Sequence, residues 1–268
     1  MLDKDTLLAF AEDLAKTASI ATLQHFRAGT SIDNKAEGGF DPVTEGDRQA
    51  ETLLRQKIHA KFPGHGIKGE EFPEKEGTEP YRWVIDPIDG TRAFICGVPT
   101  WCTLIALEHE GRPIMGIIDQ PCLKERWVGL TLPGEEPTLS VQGFLAGRTS
   151  GLEDLSAARL MVTDVREGEY FSADEAAAVA KLGSKVRLLR QGLDSYGFGL
   201  VAGGQMDLVV EAGLKWHDIA AVIPVIEAAD GTVTDWQGAP LTDKGGDIHV
   251  IVAATKALAD QVSEVLTS

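Results

Sequence analysis

No stretch constrains this chain more than residues 81–91, Tyr-Arg-Trp-Val-Ile-Asp-Pro-Ile-Asp-Gly-Thr. Residues 81–85 form a short apolar run rich in strand-forming types, which reads as a strand buried in a sheet. The remainder sets Asp86 and Asp89 three residues apart around Pro87, then adds Gly90 and Thr91. Proline fixes its own φ and pushes the residue before it into an extended conformation, while glycine reaches backbone angles closed to other residues. Two carboxylates on a stiff turn at a strand's end suit hard, oxygen-seeking cations such as Mg²⁺. A Gly-Thr step opening a short helix presents amides to an anion. Cation and anion sites together point to phosphate chemistry. Asp-Pro-x-Asp-Gly is also a good surface turn, so the choice rests on acids elsewhere in the chain.

At 268 residues the chain is long enough for one large domain or two closely packed halves. Its formal charge of −16, from 25 basic against 41 acidic side chains, argues against a nucleic-acid or anionic-membrane partner. No apolar run is long enough to span a bilayer, and the N-terminus lacks the basic start and apolar core of a secretion signal. Three cysteines, Cys96, Cys102 and Cys122, fit neither a disulfide framework nor a C-x-x-C metal site. A reduced, cytoplasmic protein is expected. Cys96 has no His partner suggested nearby, which weighs against a nucleophilic role.

Residues 5–26 carry helical periodicity with a capping Asp at the start. A polar stretch holding Lys35, Gly38 and Gly39 leads to Asp-Pro-Val-Thr-Glu-Gly-Asp at 41–47, and Asp47 is expected to cap a second amphipathic helix running to Phe62. Residues 67–71 read as a brief strand that stops on Glu70 and Glu71. After a short helix at 92–95, the runs 101–107 and 114–118 form an antiparallel hairpin, with 126–130 as a third strand. The Pro/Gly/Glu-rich segment 133–149 is the expected junction between an N-terminal α+β half, 1–140, and a C-terminal α/β half, 141–268. In the second half, strands at 159–162, 186–189, 208–211, 232–236 and 249–253 alternate with helices at 173–182, 195–202 and 218–229 and a C-terminal helix. That alternation predicts an α/β layer sandwich, with Asp218 capping the helix it begins.

Asp47, Glu70, Asp86, Asp89 and Asp218 each stand at the start or end of an element. As a set with Thr91, they resemble the inositol monophosphatase family of Mg²⁺-dependent, lithium-sensitive phosphatases. The resemblance covers most of the chain. It rests on the 41–47 run, Gly69-Glu70-Glu71, the 83–91 run, and Asp218-Ile219-Ala220-Ala221 leading into Glu227-Ala228-Ala229. It implies the layered αβαβα sandwich of sugar phosphatases, antiparallel-rich in its N-terminal half, and a homodimer. It also implies two or three Mg²⁺ ions per site: a first held by Glu70, Asp86 and the Ile88 carbonyl, a second by Asp86, Asp89 and Asp218, and a weaker third reached from Glu70 through water. Gly90 and Thr91 amides would hold the phosphate, Asp47 would hydrogen bond Thr91, and Lys35 would sit near the metals. Catalysis is then expected from Glu70, Thr91 and Asp47, with Glu70 and Thr91 orienting a water. Monoester hydrolysis needs the ester's charge neutralised, a water made nucleophilic and the leaving alkoxide stabilised, and two cations about 4 Å apart meet all three needs.

The run 89–101, with Arg-Ala-Phe after the threonine and Gly-x-Pro-Thr-Trp at its end, resembles the family's histidinol-phosphate phosphatases of histidine biosynthesis. In that subgroup Asp194 and Glu211 would line the pocket for the leaving alcohol, and Arg92 either contacts the phosphate or packs on the surface. An inositol-1-monophosphatase or a broad sugar or nucleotide phosphatase uses the same site. A metal-dependent anion-binding regulatory protein is a further alternative, against which Glu70 and Thr91 both stand. Two positions depart from the family: His217 replaces the aromatic residue before Asp218, and Asp230 stands where glycine usually follows Glu-Ala-Ala. His217 is expected at the surface, and the six histidines show no metal-ligand spacing.

Overall fold

The fold is that of a computed structural model in which residues 3–29, 32–34, 42–143 and 146–268 are described. Lys35, Gly38, Gly39 and Asp41 lie outside the described residues. Helix α1 (Lys4–His25) is followed by an antiparallel pair, β1 (Ile32–Asn34) and β2 (Pro42–Thr44), and by α2 (Glu45–Lys61). Next come β3 (Gly66–Gly69), β4 (Tyr81–Asp89), α3 (Thr91–Ile95), β5 (Cys102–His109), β6 (Arg112–Gln120), β7 (Glu125–Leu130) and β8 (Thr138–Gln142). The chain continues through β9 (Arg159–Val162), α4 (Ala173–Gly183), β10 (Leu188–Gln191), α5 (Tyr196–Ala202) and β11 (Leu208–Leu214). It ends with α6 (Trp216–Ile219), α7 (Val222–Ala228), β12 (Thr232–Thr234), β13 (Ile248–Ala253) and α8 (Lys256–Leu266).

Strands β3 to β8 form a six-stranded sheet in chain order, antiparallel except for the β3–β4 pair. The other sheet has five strands in the order β10-β9-β11-β13-β12, parallel from β10 to β11 and antiparallel beyond. Alternation along the strands divides the core into layers. Trp83, Ile85, Ile105, Leu107 and Ile117 pack under Leu7, Leu14, Leu54 and Ile58 of α1 and α2. Val84, Leu104, Ile118 and Trp127, from the opposite face, meet α5, α6 and α7 together with Val209, Val250 and Val252 of the second sheet. Leu160, Val162, Val210 and Ile251 face α4 and α8 on the far side. The result is the αβαβα sandwich.

Helix α7 rests directly on the six-stranded sheet because two strand residues there lack side chains. A Cβ on Gly116 would lie 1.9 Å from the Ala221 carbonyl oxygen, and one on Gly129 would lie 2.4 Å from that of Pro224.

Several expected boundaries move for local reasons. Asp3, not Asp5, caps α1, its side chain accepting the Thr6 amide at 2.9 Å. Thr44 caps α2 and Asp47 is its reciprocal partner three residues on, in a capping box. The 67–71 strand stops at Gly69, so Glu70 and Glu71 follow β3 instead of ending it. The 186–189 strand sits at Leu188–Gln191. The 218–229 helix is two short helices, α6 and α7, and Asp218 lies inside the first, not at its cap. Segment 133–149 contains β8, which pairs with β7, so the first sheet runs past residue 140.

Candidate active site

The site begins beneath Glu70. The Glu70 amide donates to the Ile85 carbonyl (3.2 Å), and the Glu71 amide donates to Glu51 Oε2 (2.8 Å). Glu51 is fully buried and is held from its other oxygen by Arg55 Nε at 2.7 Å. Gly69 allows this approach, since a Cβ there would fall 1.9 Å from Glu51 Oε1. The backbone carrying Glu70 is therefore clamped from below.

Asp86 and Asp89 lie within β4, not on a turn beyond it. The register against β5 slips between them, a bulge that accommodates Pro87 in a sheet interior. Thr103 Oγ1 fixes the bulge by donating to the Pro87 carbonyl at 2.7 Å, and the Ile88 amide donates to Asp86 Oδ1 at 3.1 Å. Gly90, at φ 86°, turns the chain into α3, and a Cβ there would lie 2.8 Å from both Cβ and Cγ of Asp194. Amides in the first turn of α3 have no partner within the helix. The Thr91 hydroxyl donates to the Ile88 carbonyl at 3.1 Å. The expected Asp47–Thr91 hydrogen bond is not formed: Asp47 Oδ2 instead accepts the Thr44 amide and hydroxyl at 2.8 and 2.6 Å, while its buried Oδ1 has no partner.

Asp218 arrives from the second half on α6. Its carboxyl accepts the Lys215 amide at 2.6 Å. Trp216 donates to the buried Glu108 at 2.6 Å, and Glu108 binds Arg82, which also holds Asp243. Residues on either side of His217 are thus anchored, and a carboxylate oxygen of Asp218 comes within 4.8 Å of those of Asp86 and Asp89, all three mutually. Asp47, Glu70 and Glu71 form a second such group, and Glu70, Asp86 and His217 a third. His217 is a correction to the surface expectation: it is about one-sixth exposed, and its Nε2 is 3.4 Å from Asp218 Oδ1.

Four of these carboxyls, Asp47, Asp86, Asp89 and Asp218, are pushed above the usual carboxylate range. Burial is the main cause at Asp86, reinforced by Glu70, Asp89 and Asp218; at Asp89 burial is reinforced by Asp218 and Asp194. Burial pushes Asp218 up to about 7 against the Lys215 amide, and Asp47 up to about 7 against its Thr44 bonds.

An open cavity of about 450 Å³ extends from this cluster. Its wall carries Gly90, Thr91, Arg92, Asp194 and Glu211, the expected substrate-facing set. Arg92 pairs with Glu169 (2.7 Å) and lies 5.1 Å over the Tyr170 ring. Asp194, itself at φ 47°, accepts the Thr100 hydroxyl at 3.0 Å, and the Ser195 amide beside it donates to Asp89 at 2.8 Å. Glu211 accepts the Thr163 amide at 2.6 Å, and burial raises its pKa to about 8. Sequence reasoning missed Asp247, Glu169 and Tyr170, which also line the cavity and come from loops and strand ends without periodic signal.

The sequence profile described as the inositol monophosphatase family matches residues 3–267. The chain belongs to the inositol monophosphatase family. It is 39% identical over 236 residues to a histidinol-phosphatase of Chlorobaculum parvum, covering 86% of each chain. It is 40% identical to the bifunctional phosphatase IMPL2 of Arabidopsis thaliana, of whose length it spans 65%. An inositol monophosphatase structure from Zymomonas mobilis superposes over the whole of both chains with a TM-score of 0.84 at 36% identity. Family membership makes the protein a phosphoric monoester hydrolase, and the inositol monophosphatase family is metal-dependent. The acid cluster fits a cation. Oxygens of Asp86, Asp89 and Asp218 crowd within 4.8 Å of one another, an arrangement a cation would relieve, and Asp47 Oδ1 is buried without a partner. Among the described residues no helix is long and apolar enough to cross a membrane.

Proposed function

We propose that the chain is a Mg²⁺-dependent histidinol-phosphate phosphatase. The supporting observation is the cavity's charge: its described lining carries eight carboxyl groups against one guanidinium, and that guanidinium is paired with Glu169. Bound cations and a phosphate account for the acids at the Asp86–Asp89–Asp218 end. Asp194 and Glu211 remain for the leaving alcohol, and histidinol carries an ammonium and an imidazole for them to bind. A cation beside Glu211 would draw its proton off, converting a neutral buried carboxyl into an ion-pair partner.

In this reading Glu70, Asp86, Asp89, Asp218 and the Ile88 carbonyl hold two or three Mg²⁺ ions, which supply positive charge to the phosphate and lower the pKa of water. The Gly90 and Thr91 amides hold phosphate oxygens. Glu70 takes the proton of the attacking water while the Thr91 hydroxyl orients it. Asp194 and Glu211 fix the alcohol so that its oxygen departs opposite the water. Residues 1–140 and 141–268 act as one unit, because Glu70, Asp86 and Asp89 come from the first and Asp194, Glu211 and Asp218 from the second.

Glu211 in its neutral form also suits a polyol hydroxyl, which favours inositol 1-phosphate as the second reading. Phosphate release from histidinol phosphate, inositol 1-phosphate, fructose 1,6-bisphosphate and 3′-phosphoadenosine 5′-phosphate, with Mg²⁺ and with chelator, decides between them. Histidinol phosphate should lead in kcat/KM by at least about tenfold. Preference for a neutral polyol ester would remove the cation argument, and full activity in chelator would remove the metal assignment.

A further inference from the structure

Arg82, Val84 and Asp86 alternate along β4 and share the face that meets the second half, with about 13 Å between the first and the last. The acid cluster stands at one end of this row. At the other end is a second charged group, none of whose members lines the cavity. Glu108, paired with Arg82 across β5 and β4, is fully buried. Its Oε2 accepts Arg82 Nε at 2.5 Å and its Oε1 accepts the Trp216 indole at 2.6 Å. Arg82 Nη2 also donates to Asp243 Oδ2 at 2.8 Å, an oxygen shared with Lys68 Nζ at 2.7 Å. Lys68, Arg82 and Glu108 come from the first half of the chain, Trp216 and Asp243 from the second. The group therefore ties one half to the other.

A buried ion pair adds little stability over apolar side chains of the same volume, and its best-attested use is to fix registry. Here the element to be registered is α6, a single turn too short to hold its own orientation. Side chains two apart on a helix do not face the same way. Pinning the Trp216 indole to Glu108 thus sets the rotation of the turn, and with it the direction in which Asp218 points. The Asp218 bond to the Lys215 amide (2.6 Å) lies within the same segment and cannot set its position relative to Asp86.

We propose that Glu108, braced by Arg82, is a positioning residue for the metal site: through the Trp216 indole it holds Asp218 beside Asp86 and Asp89 at the spacing a shared Mg²⁺ requires. The inference rests on the Mg²⁺ reading of the acid cluster and extends it to residues outside the cavity.

The test uses the whole chain, stripped of metal, with Mg²⁺ alone as the probe. Calorimetric titration compares the wild type with Trp216→Phe, which keeps a ring and removes the donor, with Glu108→Ala, and with the two together. Loss of a group that orients a metal ligand costs about 10- to 100-fold in metal affinity, and each single variant should weaken Mg²⁺ binding by that factor. The double variant should be no weaker than the worse single, because both act through one bond. Asp207→Asn, which loosens the Arg159 pair on the second sheet (2.7 Å), controls for lost stability: its urea midpoint should fall while its Mg²⁺ affinity stays within about threefold. A second measurement needs no variant, since coupling between the indole bond and the metal is reciprocal. In the wild type Mg²⁺ should slow hydrogen exchange at Trp216 Nε1 more than at Trp83 Nε1, which donates to His65 at 3.0 Å on the opposite face of β4. Unchanged Mg²⁺ affinity in both single variants, or equal slowing at the two indoles, would overturn the positioning role and leave the metal reading intact. A wild type that does not bind Mg²⁺ would overturn both.

Discussion

Replacing Gly90 with alanine tests how closely the two halves of the site are fitted. The residue sits at φ 86°, where an L side chain costs about 1–2 kcal/mol. Its new Cβ would lie 2.8 Å from Cβ and Cγ of Asp194, inside any tolerable contact. Asp194 cannot retreat freely. It is tied to the Thr100 hydroxyl at 3.0 Å, and the next residue's amide is tied to Asp89 at 2.8 Å. Breaking one of those bonds to a carboxyl adds about 1.5–3 kcal/mol. The expected loss is therefore about 3–5 kcal/mol, read as a lower urea midpoint with an unchanged slope. Activity should show the same displacement: KM for a phosphate ester with a cationic alcohol should rise more than KM for a simple aryl phosphate, because Asp194 moves while Asp86 and Asp218 do not. A variant within 1 kcal/mol of the parent (roughly a fivefold change in the folding equilibrium) and with unchanged KM would refute both the backbone argument and the placement of Asp194 at the substrate.

Asp89→Asn should lower turnover by orders of magnitude while the far-ultraviolet circular dichroism is retained; a fully active, Mg²⁺-dependent variant would end the ligand assignment. Asp47 and Asp218, held at about 7, keep protons that the unfolded chain releases near pH 4, so in chelator stability falls as pH rises from about 4 to about 7, by about 1.4 kcal/mol per unit for each group. Millimolar Mg²⁺ should restore the melting temperature at pH 8, and a metal-free chain as stable at pH 8 as at pH 5 would contradict the cluster's electrostatics. Glu51→Ala should destabilise by about 3–5 kcal/mol, because it leaves Arg55 without its buried partner and the Glu71 amide without an acceptor. It should also reduce kcat more than KM; an unchanged kcat would detach Glu51 from the positioning of Glu70.

Legibility in the sequence followed the range of the forces involved. The layers were readable because strand alternation and helical periodicity are local and repeat. The acids were readable as a set, since the short motifs that carry them, 41–47, 69–71, 83–91 and 218–221, stand out from the periodic segments around them. What the sequence hid was the partner each polar group chose. Asp47 looks like a cap until Thr44 is seen to take that place. Asp86 and Asp89 look like a turn because Pro87 lies between them; only the Thr103 bond to the Pro87 carbonyl shows that the strand continues through a bulge. Strand β8, Thr-Leu-Ser-Val-Gln at a sheet edge, is too polar and too short to stand out from its Pro- and Glu-rich surroundings. His217 passed for a surface residue because its burial is caused by the docking of α6 against Glu108, over a hundred positions earlier in the chain.

Gly116 and Gly129 lie outside the cavity lining, yet they set the depth at which α7, and with it the α6 segment bearing Asp218, beds onto the first sheet. A single methyl at either would act as a shim, lifting Asp218 relative to Asp86 and Asp89. The spacing between Asp218 and the Asp86–Asp89 pair, whether altered by drift or by design, therefore has a handle on the floor of the sandwich, outside the lining of the cavity.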